Sequence, residues 1–166
     1  NPSVLGIRII IIMPKQKGIV FPYGIALREE SKIDVFPAAE VGFRNKEGDW
    51  LTLYLIIDSG ATVSILPRSD ASVFGVDVEQ GSLQTILGVE GKPFNGWQYD
   101  MRIRIGVNFI TLPFVFLDNN DAPRILGRTG VFDRYTIVFE EKKRRTGLLK
   151  ENSSEAKSIK KLLDTI

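Results

Sequence analysis

An all-β fold, closed into a barrel or sandwiched, is what this sequence predicts, and three observations carry the prediction. Short apolar or alternating runs rich in β-branched and aromatic residues recur from about Ile33 onward. Turn residues punctuate them at Asn45-Lys46-Glu47-Gly48-Asp49, at Gly88 to Gly91 and at Gly106-Val107-Asn108. Only one short helical pattern interrupts the series before residue 140.

In order, residues 4–13 come first, a β-branched run containing Ile9-Ile10-Ile11-Ile12 but broken by Arg8. The run is too short to span a bilayer, and no small-residue cleavage site follows it. It is read as a strand placed at a subunit interface, because such a run left exposed would invite aggregation. The sequence opens at Asn1 rather than Met, which suggests a trimmed, processed or engineered start, with Met13 a candidate initiator. No signal peptide or membrane span is evident, so a cytoplasmic location is expected.

Ala38 to Phe43 and Trp50 to Ile57 flank the Asn45–Asp49 turn as a hairpin. Pro67 opens a short helix through Ser69 to Phe74, and Gly75 ends it. Ser82 to Leu87 and Phe94 to Tyr99 flank the Gly88–Gly91 tip. Met101-Arg102-Ile103-Arg104-Ile105 alternates with period two, as a half-buried strand should. Phe109 to Leu117 and Tyr135 to Phe139 complete the strands.

Beyond Glu140 the character changes. Glu141-Lys142-Lys143-Arg144-Arg145 is a charge run, and Lys150 to Ser154 is polar. Ala156, Ile159, Leu163 and Ile166 then recur at helical spacing, an amphipathic helical pattern. The basic run reads either as a contact for nucleic acid, a lipid surface or a peptide, or as a solvated tail. The solvated tail is preferred, since charge runs are usually that. The chain divides accordingly into an N-terminal extension (1–34), a main domain (35–140) and a basic tail (141–166).

Composition narrows the chemistry. The chain has 166 residues, 43% hydrophobic and 25% charged, with a net charge of +2. That is enough for one proper core but cramped for two domains, and the balance is ordinary for a globular protein. Cysteine and histidine are both absent. Disulfides, thiolate chemistry and Ser-His-Asp or Cys-His catalysis are therefore impossible, and the commonest transition-metal ligand is missing. Catalysis must fall to carboxylates, lysines, tyrosines or hydroxyls.

One carboxylate stands out. The apolar run Leu53-Tyr54-Leu55-Ile56-Ile57 delivers Asp58-Ser59-Gly60-Ala61-Thr62, setting a charge between a buried strand and a small-residue turn. Gly60 lets backbone neighbours approach closely. The residues support two readings, an ordinary Asp-Ser-Gly β-turn or a carboxylate placed for catalysis.

Ile56-Ile57-Asp58-Ser59-Gly60-Ala61, then Gly88-Val89-Glu90-Gly91, then Ile125-Leu126-Gly127-Arg128 appear in that order. Together they resemble the retropepsin-like aspartic proteases over roughly residues 35–140. The resemblance implies a closed acid-protease β-barrel and an aspartic endopeptidase that needs no metal or cofactor and acts on a peptide or unfolded protein. Asp58 would be the catalytic carboxylate, with Ser59 bracing the active-site loop across a dimer axis. Gly60 would leave room for substrate backbone, and Ala61 would give a small wall. Gly88, Val89, Glu90 and Gly91 would form the tip of a substrate-covering flap, while Gly127 and Arg128 would support the loop from below. Two departures stand out. Glu90 replaces the small or apolar residue usual at the flap tip. Thr62 occupies a place that is acidic in retroviral members, where it pairs with the arginine. The partner of Arg128 is thus left open, and a cellular rather than retroviral relative is suggested.

Peptide hydrolysis of this kind needs two carboxylates sharing one proton across a lytic water, because two like charges held so close cannot both ionise. The chain has one Asp-Ser-Gly and no internal repeat to supply another. A two-fold homodimer would bring a second Asp58 to the axis. Three function classes stay open: the homodimeric endopeptidase, an inactive peptide-binding or dimerisation module of the same fold, and a binder of acidic polymers through residues 142–161.

Overall fold

A computed structural model describes residues 17–27, 32–88 and 91–166. The expected strand over residues 4–13 lies outside the described residues. Among these, no helix is long and apolar enough to cross a membrane.

The largest sheet is built around hairpins whose turns the sequence encodes. Strands β4 (Ala38–Arg44) and β5 (Trp50–Ile57) pair antiparallel, from Ala38 opposite Ile56 to Arg44 opposite Trp50. (Strands β1, Gly18–Pro22, β2, Gly24–Leu27, and β3, Ile33–Phe36, precede them.) The turn between them closes because the Asn45 side chain accepts the Asp49 N–H at 2.7 Å. Gly48 supplies the positive φ of 91°. A short strand, β6 (Ser64–Pro67), runs into helix α1 (Arg68–Phe74). Gly75 ends that helix in the left-handed region at φ 67°, as the sequence predicts.

Strands β7 (Ser82–Leu87), β8 (Pro93–Ile105) and β9 (Asn108–Leu117) form two further antiparallel hairpins. The sequence suggested two strands between Phe94 and Ile105; the structure has one of 13 residues. Asp100 does not interrupt it, because its side chain lies on the exposed face and the ladder to Pro113 continues past it.

The strand order β4-β5-β10-β6-β9-β8-β7, where β10 is Ile125–Leu126, gains a further pairing between β4 and β8. That pairing closes a ring of six strands, in line with the closed β architecture expected. The fold is mostly β. Inside the ring Phe43, Phe114, Phe116, Leu55, Leu66, Ile103, Leu112 and Leu126 are fully buried. Phe43 stacks on Phe74 of α1 at 5.0 Å and meets Phe114 edge-on at 5.3 Å. The apolar face of α1 thereby seals one end of the core.

A second sheet of three strands has the order β1-β12-β11, with β1 Gly18–Pro22, β11 Tyr135–Glu140 and β12 Arg145–Lys150. Residues 145–150 were expected to belong to a solvated basic tail; they are the central strand of this sheet. Thr146 and Leu148 alternate inward and are fully buried, a period-two signal too short to stand out within a charge run. The surrounding cations are matched by carboxylates: Arg145 and Lys143 by Glu140, and Arg144 by Glu141. Helix α2 (Ser154–Leu163) follows, its first turn capped by Ser153 Oγ, which accepts the Ala156 N–H at 3.1 Å. Of the apolar face expected there only Ala156 is buried, while Leu163 and Ile166 are exposed. The remaining described strands, β2 (Gly24–Leu27) and β3 (Ile33–Phe36), form a separate two-stranded ribbon.

Candidate active site

The Asp58 loop is fixed by β10, whose Ile125 pairs with Ile56, 69 positions earlier in the chain. β10 lies between β5 and β6, parallel to the first (Ile125 opposite Ile56, Leu126 opposite Ile57) and antiparallel to the second (Ile125 opposite Ile65). The Ile56 N–H donates to Arg124 O at 2.9 Å, and the Asp58 N–H to Leu126 O at 3.2 Å. Past the turn, the Arg128 N–H reaches Ala61 O and the Thr129 N–H reaches Thr62 O, each at 2.9 Å. The two motif segments are thus stitched together on both sides of the carboxylate.

Within the turn, Asp58 Oδ1 accepts the Gly60 N–H at 2.8 Å. A Cβ at position 60 would stand 3.2 Å from that oxygen, so glycine is what permits the tight approach. Asp58 is half-buried, and Ser59 and Gly60 are exposed. Gly127 is needed for a different reason. A Cβ there would fall 2.5 Å from the Val63 carbonyl carbon and closer still to its oxygen. The Gly127 N–H donates to the fully buried Ser64 Oγ at 3.0 Å, so the close contact is also a hydrogen-bonded one.

The question the sequence left open has an answer within one chain: Arg128 Nη2 donates to Thr62 Oγ1 at 3.2 Å. Threonine cannot supply the charge of an acidic residue, but its hydroxyl fills the acceptor role. Sequence reading missed a stronger tie. Arg124 Nε and Nη2 donate to the two oxygens of Asp70, each at 2.7 Å, a bidentate pair between α1 and the start of β10. Asp70 is buried, a signal invisible in sequence, where it looks like one more polar residue on a short helix.

A cleft of about 660 Å³ opens in front of Asp58. One wall is the loop itself, with Gly60, Ala61 and Thr62. The opposite wall is the β7–β8 hairpin, through Gln84, Ile86, Leu87, Gly88 and Phe94. Val115 and Leu117 of β9 and the Ala122-Pro123 segment complete it. The lining is apolar apart from a few amides and hydroxyls, and Asp58 is its only carboxylate among the described residues. Of the expected hairpin-tip residues, Gly88 lines the cleft, and its N–H bonds Lys92 O at 3.0 Å. Gly91 holds a φ of 73° and donates to Gly88 O at 2.8 Å. Val89 and Glu90 lie outside the described residues.

No family model matches the sequence, and no curated protein matches it either. Solved structures do. The protein is similar to a retropepsin-like aspartic protease from Rickettsia conorii, with a TM-score of 0.54 and 16% identity, over 81% of this chain and 100% of that one. It also has a looser likeness to EIAV protease complexed with the inhibitor HBY-793. There the TM-score is 0.45 and the identity 19%, over 65% of this chain and 93% of that one, too distant to support a structural argument. The protein has a retropepsin-like fold.

Proposed function

We propose that the protein is an aspartic endopeptidase that hydrolyses peptide bonds with a water activated between the Asp58 carboxylates of a homodimer. What supports this reading is one juxtaposition. On a retropepsin-like scaffold, Asp58 faces an apolar cleft whose far wall is a β-hairpin with glycines at its tip.

One Asp58 takes the proton from water as general base, while the other protonates the scissile carbonyl oxygen; the first then passes the proton it took from water to the leaving amine, and the second recovers its own from the collapsing diol. Gly60 holds Oδ1 in place through its N–H, and Ser59, exposed on the loop, braces it against the second chain. The β7–β8 hairpin acts as the flap, its backbone pairing with an extended peptide. Gly127 and Arg128 hold the loop from below through Ser64 and Thr62. The catalytic unit is residues 35–140, with the flanking segments outside it.

The test is cleavage of an unstructured protein and a broad peptide library, by wild type and by Asp58→Asn, across pH and protein concentration. The variant keeps its fold and loses cleavage. Wild-type activity rises with concentration as dimers form, and falls on both sides of an acid optimum, because the shared proton is lost at one end and doubled at the other. Cleavage that survives Asp58→Asn refutes the reading. A wild type that binds peptides without cutting them would be the inactive module of the same fold.

A further inference from the structure

Three arginines with no carboxylate partner among the described residues gather on one face of the barrel. Lys143, Arg144, Arg145 and Lys160 each have a carboxylate partner, in Glu140, Glu141 or Glu151. Arg44, Arg102 and Arg104 have none among the described residues. Instead they lie on aromatic rings. Arg44 and Arg104 sit over Trp50 at 5.2 and 5.0 Å, and Arg102 sits over Phe109 at 5.5 Å.

Register explains why these five side chains share one face. Arg44 is opposite Trp50, Gly42 is opposite Arg104, and Arg104 is opposite Phe109. Cross-strand partners point to the same side of a sheet, and so do residues two apart on a strand. Ile103, Ile105 and Val41 take the other side and are fully buried in the core. Gly42 leaves the space that Arg104 crosses, since a Cβ there would stand 3.3 Å from Arg104 Nε and 3.4 Å from the Trp50 ring. The rings themselves meet at 5.5 Å. Beside them lies a depression of about 560 Å³ that shares no lining residue with the Asp58 cleft. One carboxylate, Asp100, also lines it.

We propose that this face binds single-stranded nucleic acid. Arg102 and Arg104 make no side-chain hydrogen bond among the described residues, so their in-plane N–H donors suit phosphate oxygens; Arg44 uses one donor, Nη1, on Gly48 O at 3.1 Å and keeps the others. Arg102 and Arg104, two residues apart on one strand, repeat the positive charge about every 7 Å along it. Phe109 is 50% exposed and offers a ring on which a base can stack. An acidic peptide would use the guanidinium groups but has no use for the open ring, so nucleic acid accounts for more of the surface. The site is independent of peptide cleavage.

The test is fluorescence anisotropy of the full chain with labelled dT20 over a salt series. Unlabelled duplex of the same length and polyglutamate serve as competitors. Replacing Arg44, Arg102 and Arg104 by Gln should flatten the log-affinity against log-salt slope by about two, at roughly 0.7 per phosphate contact on a single strand. Phe109→Ala should weaken binding about tenfold while leaving the slope intact. Replacing Lys142, Lys143 and Arg144 by Gln should change neither. Circular dichroism checks that each variant is folded, and each single Arg→Gln variant should lose about a third of the slope change if the triple is not. No binding of dT20 at low salt overturns the proposal, as does a tail variant that loses it. Competition by polyglutamate or duplex as effective as by unlabelled dT20 also overturns it, in favour of an acidic peptide or plain charge attraction.

Discussion

Removing Arg124 should cost this fold more than removing the charge of its partner, and the asymmetry follows from exposure. The Asp70 side chain is 8% exposed and the Arg124 side chain 42%, with both carboxylate oxygens accepting bonds of 2.7 Å. In Arg124→Met the methylene stem is kept, but a nearly buried carboxylate loses both donors. Stripping one member from a buried pair typically costs about 3–5 kcal/mol. Here the lower end applies, about 3 kcal/mol, because the half-exposed arginine position lets water approach the oxygens. In Asp70→Asn the guanidinium can turn to solvent and the amide still offers one acceptor. Losing a charge-assisted bond of this kind costs about 1–2 kcal/mol. Urea unfolding followed by the fluorescence of Trp50 and Trp97 measures both. With a slope of about 2 kcal/mol per molar, the midpoint should drop by about 1.5 M for Arg124→Met and by about 0.5–1 M for Asp70→Asn. Cleavage should also weaken in Arg124→Met, since Arg124 O accepts the Ile56 N–H two residues before Asp58 and Ile125 lines the cleft. An Asp70→Asn variant less stable than Arg124→Met, or an Arg124→Met midpoint equal to wild type, would refute the reasoning.

Three further outcomes are expected. Gly127→Ala should destabilise by about 1–3 kcal/mol and reduce cleavage more than a comparable core change, because its Cβ meets the Val63 carbonyl rather than a yielding side chain; thermal melting with a parallel activity assay reads both. Thr146→Val should raise stability by about 1 kcal/mol in urea titration, since the Thr146 hydroxyl is buried with no hydrogen-bond partner among the described residues. The Glu151 carboxyl is held below its ordinary range by hydrogen bonds from Lys160 and then Thr136. A lowered carboxylate contributes stability that is complete above its unfolded value of about 4.3 and is lost as pH falls through the folded value. The melting-temperature gap between wild type and Lys160→Gln should therefore close on acidification, and a gap that widens in acid would contradict the assignment.

The sequence by itself determined what depends on neighbours in the chain. The Asn45–Asp49 and Gly88–Gly91 turns, the helix bounded by Pro67 and Gly75, and the alternation of Met101 to Ile105 are all local steric and solvation patterns. Each was legible. So was Asp58 as a candidate site, because an apolar strand running into Asp-Ser-Gly is itself a local anomaly. Tertiary structure decided what depends on the ladder. The pairings of Asp70 with Arg124, Thr62 with Arg128 and Ser64 with Gly127 each join residues more than fifty positions apart, 54, 66 and 63 respectively. No periodicity encodes such a separation, since it is set by where β10 inserts between β5 and β6. The strand at 145–150 was hidden for a related reason. Its inward positions, Thr146 and Leu148, sit among charges whose partners Glu140 and Glu141 are revealed only when β11 and β12 pair. Charge in a sequence is a count. Whether it is neutralised, as beside β12, or left without a carboxylate among the described residues, as on Arg102 and Arg104, is decided by which strands the fold brings side by side.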